Sequence, residues 1–545
     1  MARGFRLRAL LAVVGVLILT AGAALGALAL RVSDENGPVL PIATSSYTEA
    51  VPGTWQRINP LFAGDNSVDQ DIVALVFNGL VRIGEGGVVE PDLAEALPAL
   101  GPDGRTYTFV LREGLKWHDG EPVTADDVAF TIESIRALDF EGDVALSDLW
   151  LDVENVATPD DRTISITLPE PSAPFLARAA TLPILPEHLL GELSSAQMAQ
   201  APFNVAPIGT GPYRLTSLSS ARAEFTAYAA YHLGKPAIER LTLRFYSSAE
   251  TARAALEGGE AEGLFLPDPE ATPVPSGDNL QVVAATRDAY IALYLNNAQA
   301  AFFQDERVRR AFSLVIDRDL IASEIYGDWL LPSSSPITPG SWAYLAEFDE
   351  TDVDIATAEA LLDDAGWTRH AATGIRTRSG QEFRITIRTD DDPLHLALGS
   401  LIARQLDRVG IKVTVAGTTF TVLRTEYLQT RAYEAAIVAW DQGADPDPYF
   451  GWHSSQLGAA GLNIANYSDI ESDAVVERGR ESSDPGVRAD MYRQFQDIWA
   501  EEAPSVILGY PRYAYVLPGD ANAVVFSNLV APSQRFAEIH RWEVR

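Results

Sequence analysis

The sequence predicts an α/β protein with more than one domain. Helical and strand patterns alternate along the chain without an internal repeat, and 545 residues are enough for two or three domains with large cores. With 47% hydrophobic and 21% charged residues, the composition is that of a globular protein and excludes a disordered chain. Such alternation is typical of open α/β sheets, whose ligand sites lie at the boundaries between lobes.

The clearest local pattern is a strand, a turn and a helix in close succession. Residues 106–111 alternate in the period of a half-buried strand. His118-Asp119-Gly120 is typical of a turn, with a metal or acid–base site as the alternative. Thr124 and Asp127 then form a capping box, and the apolar residues that follow recur at helical spacing, which predicts a helix.

Further elements follow in the same alternating order. Turn residues and period-two patterns predict strands, while caps and apolar stripes predict helices. The predicted strands are 150–156 and 164–168, which form a hairpin, and 281–284, 290–295, 411–415, 433–440 and 506–510. Helices are predicted at 185–190, 394–409 and 485–502, and a further helix is predicted to begin after Asp305.

Charge and composition exclude several functions. The net charge of −34 argues against a nucleic-acid partner and against adhesion to an anionic bilayer. The absence of cysteine removes disulfides, thiolate metal sites, cysteine nucleophiles and attachment through a lipidated cysteine. No histidine pair has metal-ligand spacing, so we expect no metal and no cofactor.

Catalytic motifs are also missing from the sequence. It contains no GxSxG, no Walker A motif and no complete GxGxxG, which predicts that the protein is not an enzyme. The 75 acidic residues could supply a carboxylate pair, so an extracytoplasmic hydrolase is the alternative from another class.

The first 31 residues predict a membrane anchor or a signal peptide. Residues 9–30 are uncharged and mostly apolar, and they follow Arg3, Arg6 and Arg8. That length is sufficient to span a bilayer and favours an uncleaved anchor, although Ala27-Leu28-Ala29 offers a cleavage site. In either case the basic flank stays inside, and the rest of the chain faces outward.

Several short motifs stand in a fixed order across residues 47–515. They include Asn59-Pro60-Leu61, Phe77-Asn78-Gly79-Leu80, Glu90-Pro91-Asp92-Leu93-Ala94, the string from Leu115 to Val128, Pro207-Ile208-Gly209-Thr210-Gly211-Pro212-Tyr213, Ala365-Gly366-Trp367, Gly410-Ile411-Lys412-Val413 and Asp445-Pro446-Asp447-Pro448. These motifs closely resemble those of the family 5 extracytoplasmic solute-binding proteins of ABC importers, the oligopeptide- and dipeptide-binding type. Each motif is weak alone, but their order and spacing agree with the family over most of the chain.

The resemblance implies a type II periplasmic-binding-protein fold, with two lobes, a hinge and an inserted extra domain. Domain I would combine residues 38–80, 200–288 and 512–545, the inserted domain II would take 81–199, and domain III, the second lobe, would take 289–511. The chain crossings near 288 and 511 would act as hinges, and a ligand would close the lobes by stabilising the closed state.

A loop after the predicted strand 433–440 carries acids beside aromatic residues, which suits a ligand with an amino group. In peptide-binding relatives, an aspartate three residues after the matching tryptophan, here Trp440, holds the peptide's amino terminus. Gly443 occupies that place in this chain, so Asp441 or Asp445 would have to substitute. An aspartate that starts a turn is the alternative interpretation of both.

The family match places further residues in the ligand cleft. Ser67 and Val68 would lie on its first loop, Trp440 on its wall, and Tyr510 after the last strand of the second lobe. A packing role in the core is the alternative for each aromatic residue.

The resemblance therefore implies the substrate-binding component of an ABC importer, which captures di- or oligopeptides and delivers them to permease subunits. Alternatives are the same role for oligosaccharides or for nickel and other metal chelates, and an anchored chaperone or signalling receptor. We expect an extracytoplasmic monomer that is either held at the membrane by its N-terminal segment or released.

Overall fold

The computed structural model describes residues 45–544, except 151–152 and 179–180. The predicted anchor or signal peptide at residues 1–31 lies outside this range. Within the described ranges, no helix is long and apolar enough to cross a membrane.

Strands and helices alternate through the described chain, as the sequence predicts. The strands are β1 Ser46–Pro52, β2 Val81–Ile83, β3 Val89–Pro91, β4 Ala99–Leu100, β5 Thr106–Val110, β6 Asn155–Asp160, β7 Thr163–Thr167, β8 Tyr213–Leu218, β9 Arg222–Ala227, β10 Arg240–Tyr246, β11 Gly263–Leu266, β12 Leu280–Arg287, β13 Ala289–Leu295, β14 Leu330–Leu331, β15 Thr368–Arg369, β16 Arg376–Arg378, β17 Gln381–Glu382, β18 Arg384–Asp390, β19 Lys412–Thr418, β20 Ala435–Asp441, β21 Ser505–Pro518 and β22 Asn528–Leu529.

The helices connect these strands, and several of them pack on the large sheet. They are α1 Ser67–Val76, α2 Ala125–Arg136, α3 Val144–Trp150, α4 Phe175–Arg178, α5 Glu187–Leu190, α6 Ser195–Met198, α7 Ala249–Glu257, α8 Glu306–Val315, α9 Arg318–Ile325, α10 Ile355–Asp364, α11 Pro393–Asp407, α12 Phe420–Val422, α13 Tyr449–Trp452, α14 Ile470–Glu481 and α15 Pro485–Glu502.

One mixed sheet runs through most of the molecule. Its main order is β19-β18-β20-β13-β21-β11-β1-β10-β9-β8, with β12 and β14 also paired to β21. The long strand β21 belongs to both halves: residues 505–509 pair with β13, and residues 512–518 pair with β12. The sheet is therefore continuous across the point where the chain passes between its two halves.

The hydrophobic cores divide at the same point. One core joins residues 47–285 with 513–542, whereas two others, on residues 290–510, pack on β13, β20 and the first half of β21. Because apolar burial is the main stabilising term, separate cores define two lobes. Lobe one contains the first core and lobe two the other two.

A smaller four-stranded sheet, β4-β5-β7-β6, lies within residues 81–199 and shares the core of lobe one. The predicted strand, turn and helix are confirmed here. The capping box of Thr124 and Asp127 is formed, with the Thr124 N–H donating to Asp127 Oδ2 at 2.9 Å. His118 is buried, and Gly209 N–H donates to it at 3.4 Å. Burial lowers the pKa of His118 to about 4, which fits a structural residue.

Two predicted elements differ from the structure. Trp150 was predicted to start a strand but ends helix α3, because Leu146, Leu149 and Trp150 recur at helical spacing and pack on the core of lobe one. The strand predicted at 506–510 continues to Pro518, since its second half pairs with lobe one. Helix α15 has the predicted bounds, and Asp305 caps α8 as predicted.

Candidate functional site

The two lobes are joined where β12 passes into β13 and where β21 crosses beside them. Asp288 is the single residue between β12 and β13. Its N–H donates to Leu529 O of lobe one at 3.0 Å, and its carbonyl accepts from Gln442 N–H of lobe two at 3.1 Å. Residues near this crossing therefore contact both lobes.

Asp441, the last residue of β20, lies opposite Ala289 at this crossing. Its Oδ1 accepts a hydrogen bond from Gly443 N–H at 3.0 Å. Among the described residues, no side chain forms an ion pair with it within 4.0 Å. Partial desolvation raises the pKa of Asp441, while the Gly443 N–H and Arg287 oppose the rise. The side chain is exposed, so an oxygen remains open to a ligand.

A polar cluster surrounds Asp288 on the side of lobe two. Thr338 Oγ1 contacts both Asp288 Oδ1 and Gln442 Oε1, and Gln442 Nε2 donates to Pro336 O. A hydroxyl carries one proton, so it can donate to only one of the two oxygens. A proton on the Asp288 carboxyl group would satisfy the other contact. Burial raises the pKa of Asp288 to about 7, with Asp441 and Asp445 adding to the rise, which agrees with this count of protons.

Asp445 forms an internal ion pair with Arg488. It is buried, and Arg488 donates to both of its oxygens, at 2.6 and 3.0 Å. Arg488 also donates to Tyr492 Oη at 2.8 Å. Of the two acids that the sequence left as alternatives, Asp441 is exposed and Asp445 is paired with Arg488.

The two aromatic residues predicted to line the cleft have different surroundings. Trp440 is half-buried and lies over Gly451. Tyr510 is completely buried, and its hydroxyl donates to Ser335 O at 3.0 Å. In this conformation, Trp440 has surface available for a ligand, whereas Tyr510 is a core residue next to the crossing.

Ser67 and Val68 begin helix α1 of lobe one. Asn66 caps this helix and accepts from the N–H of Val68 at 3.0 Å. Ser67 is exposed and lines a cavity of about 60 Å³ with Pro52, whereas the Val68 side chain is buried. The structure thus leaves the Ser67 side chain, but not that of Val68, accessible at this position.

One direct contact between the lobes lies at Gly86. Trp342 N–H of lobe two donates to Gly86 O of lobe one at 3.0 Å. Gly86 has φ 67°, and a Cβ there would lie 2.9 Å from Gly340 O, so this approach requires glycine. The space left between Gly86, Ser341 and Ala444 is about 10 Å³, too small for a ligand.

A larger cavity of about 810 Å³ lies within lobe two, and all of its lining residues belong to segments 310–354 and 497–507. None of the predicted site residues lines this cavity. Within the described ranges, no group of three or more His, Cys, Asp or Glu residues is arranged to hold a metal ion.

Several residues at the boundary were missed by the sequence analysis. Arg287, at the end of β12, lies over Tyr513 at 5.8 Å and is close enough to Asp441 and Glu270 to affect their pKa values. Asp288 and Thr338 are in the same group. In the sequence, the only sign of a role for Asp288 is its position between two apolar strands. Its hydrogen-bond partners are 50 or more residues away and could not be found from sequence.

Two lobes on one sheet, joined by adjacent chain crossings with polar side chains between them, define a binding protein of the two-lobe periplasmic class. Comparisons with known proteins agree. Residues 88–461 match the family described as bacterial extracellular solute-binding proteins, family 5 Middle. The chain belongs to this family, the family 5 solute-binding proteins of ABC transporters.

Individual relatives support the assignment. The chain is 33% identical to protein XP55 of Streptomyces lividans over 81% of this chain and 80% of that protein. It is 26% identical to the oligopeptide-binding protein AppA of Bacillus subtilis over 89% of each. NikZ of Campylobacter jejuni, solved with Ni(L-His), has 25% identity and a TM-score of 0.68, covering 92% of this chain and all of NikZ. The predicted family and fold are confirmed.

Proposed function

We propose that this protein is the substrate-binding component of an ABC importer, that it captures di- or oligopeptides between its lobes, and that it is not an enzyme. Family membership supports the binding role. The peptide assignment depends on Asp441. This residue is an exposed carboxylate with an open oxygen, and it lies near Arg287 at the lobe crossing. A peptide carries an ammonium and a carboxylate, and this pair of side chains matches both charges.

The charges around the crossing favour a ligand with an amino group. Burial raises the pKa of Glu270 in lobe one, and the neighbouring carboxylates of Asp268 and of Asp392, from lobe two, add to this rise. Acids from both lobes therefore lie close enough to repel one another. A cationic group between them would relieve that repulsion, and it would also favour the closed state.

The proposed boundary between domains I and III follows the division of the cores, whereas the inserted domain II shares the core of domain I. Domain I comprises 38–80, 200–288 and 512–545, domain II comprises 81–199, and domain III comprises 289–511. The hinges lie near 288 and 511, where β12, β13 and β21 change lobes. Small-angle scattering with and without a tight ligand tests the closure, since an unchanged radius of gyration would argue against it.

The ligand is tested by native mass spectrometry of residues 32–545 purified without denaturant. We expect a heterogeneous set of short peptides to be released on unfolding. A second candidate is a metal chelate of an amino acid, which the likeness to NikZ with Ni(L-His) favours. Recovery of a nickel chelate or of a sugar alone would contradict the peptide assignment.

Asp441→Asn is expected to weaken binding of a recovered peptide roughly ten- to hundredfold, because a charge-assisted hydrogen bond to the ammonium is lost. Isothermal titration calorimetry measures the effect. Asp490→Asn, at an exposed site on α15, is the matched control. The N-acetylated peptide lacks the charged amine and should bind both proteins equally. If Asp441→Asn binds the free peptide as tightly as the parent does, the peptide's amino group contacts another residue.

We further infer that the protein works as a monomer outside the cell membrane, and that residues 1–31 anchor it there. The length of the apolar segment at 9–30 supports an uncleaved anchor. The intact mass of the protein from its native host tests this: we expect the mass to include these residues, and a mass that begins after residue 29 would mean that they are a signal peptide.

A further inference from the structure

The loop that carries Asp441 is held at its far end by arginines. This loop, residues 441–448, is followed by helix α13. Asp447 is its most enclosed acid, since its side chain has no exposed surface. Its Oδ1 accepts from Tyr449 N–H at 3.1 Å, whereas its buried Oδ2 has no hydrogen-bond donor. A buried carboxylate of this kind needs positive charge close by.

Two guanidinium groups supply that charge, and they come from different lobes. Arg480 of α14, in lobe two, lies 3.4 Å from Asp447 Oδ2. Arg178, at the end of α4 in the inserted domain, lies 3.6 Å from the same oxygen. Burial raises the pKa of Asp447, and both arginines oppose the rise. Part of the compensation for this buried charge thus crosses the boundary between the lobes.

The surrounding contacts hold the same two surfaces together. Arg178 lies over the ring of Phe450 at 4.9 Å, and Arg480 lies over the same ring at 5.2 Å and over Tyr449 at 3.8 Å. Ala173 N–H of the inserted domain donates to Arg480 O at 2.7 Å. A charge-assisted, partly desolvated contact with aromatic faces is stronger than an exposed ion pair.

We propose that Arg178 is a positioning residue of the binding site: it docks on Asp447 when the lobes close, and so couples the inserted domain to the ligand loop. This inference rests on the proposed closure of the lobes, but not on the identity of the ligand. The inserted domain thereby stabilises the closed state from outside the cleft, through the end of the loop opposite Asp441.

The absence of cysteine makes a direct distance measurement possible. Nitroxide labels on Glu170→Cys and Glu481→Cys, both exposed and next to the two surfaces, report their separation by double electron–electron resonance. We expect a short-distance population in the parent protein without added ligand. Arg178→Ala should lower the ratio of short to long distances roughly tenfold, because the buried carboxylate loses one of two counter-charges.

A double-mutant cycle separates this coupling from a structural effect. In the Asp447→Asn background, Arg178→Ala should change the ratio less than twofold, because its partner charge is already gone. The free energy of unfolding of Arg178→Ala should fall by no more than about 1.4 kcal/mol, which is the tenfold change in the ratio expressed as an energy, because the open lobes remain folded. Arg222→Ala removes an exposed arginine of lobe one and serves as the control.

Three results would overturn the proposal: a parent with no short-distance population, an unchanged ratio in Arg178→Ala, or an equal effect of Arg178→Ala with and without Asp447. A failure to recover peptides would leave this measurement unaffected, because it uses no ligand. The peptide assignment and the Arg178 contact are therefore tested separately.

Discussion

Replacing Arg535 with leucine is expected to lower the free energy of unfolding by about 3–5 kcal/mol, because it leaves two buried acids without their counter-charge. Arg535 is 1% exposed. Its guanidinium donates to Glu49 Oε1 at 2.7 and 2.9 Å and to the two oxygens of Asp71 at 2.6 and 2.7 Å. These residues tie β1 and α1 to the C-terminal segment inside lobe one.

The effect of Arg535→Leu should depend on pH. Burial raises the pKa of Glu49 and of Asp71, and Arg535 opposes both rises. Without the guanidinium, both pKa values rise further in the folded state. Over a wider pH range than in the parent, the folded variant then binds more protons than its unfolded chain. Its stability therefore falls more steeply than that of the parent as the pH rises. The deficit relative to the parent is therefore larger at pH 7 than at pH 5.

Urea unfolding followed by circular dichroism at pH 5 and pH 7 measures both quantities. The control is Arg222→Leu, which removes an arginine with 56% of its side chain exposed and should change stability by less than about 0.5 kcal/mol. A loss below about 1 kcal/mol for Arg535→Leu at pH 7 would show that the two acids find other compensation.

Local sequence patterns predicted the elements well because their causes are local. The Thr124–Asp127 capping box and the Asp305 cap depend on residues within three positions of each other. Helix α15 has a proline at its first position and an aspartate cap before it, which fix its start at Pro485. Such signals need no information about the rest of the fold.

The contacts around the proposed site are not local. Asp441 and Asp445 are equivalent in sequence, since each starts a turn beside aromatic residues. Only the position of Arg488, 43 residues further along, distinguishes them. The Arg178–Asp447 contact crosses 269 positions (447 − 178) and two lobes. No periodicity or spacing could pair these residues, because the fold alone brings them together.

The positions taken from the family resemblance include side chains that differ widely in exposure. Ser67 and Val68 are neighbours at the start of α1, yet one is exposed and the other is 1% exposed. Successive residues of a helix point in different directions, so a motif match cannot say which of two neighbours faces a ligand. Tyr510 likewise lies beside the crossing, but its ring points into the core of lobe two.

Asp288→Asn is expected to stabilise the protein relative to the parent, by an amount that grows with pH. Burial raises the pKa of Asp288 to about 7, from an ordinary value near 3.8. Between these values, the folded parent holds one proton that the unfolded chain releases. The contribution of this group to stability is fully present below pH 4 and is lost as the pH rises towards 7.

The expected slope is about 1.4 kcal/mol for each pH unit between pH 4 and 7. Asparagine carries no titrating proton, so the difference in unfolding free energy between Asp288→Asn and the parent isolates this group from the other acids. Urea unfolding at pH 5, 6, 7 and 8 measures it, and the difference should increase from pH 5 to 7 and level off above. Asp278→Asn, at an exposed site, is the control for the loss of one carboxylate.

A flat difference across this range would mean that Asp288 is ionised in the folded protein, with Thr338 donating to it. The expected rise would instead support a neutral carboxyl group at the lobe crossing. Because Asp288 contacts Leu529 of lobe one and Gln442 of lobe two through its backbone, its ionisation would place a partly buried charge where the two lobes are joined. A neutral Asp288 between the lobes therefore means that the protein becomes less stable as the pH rises toward 7.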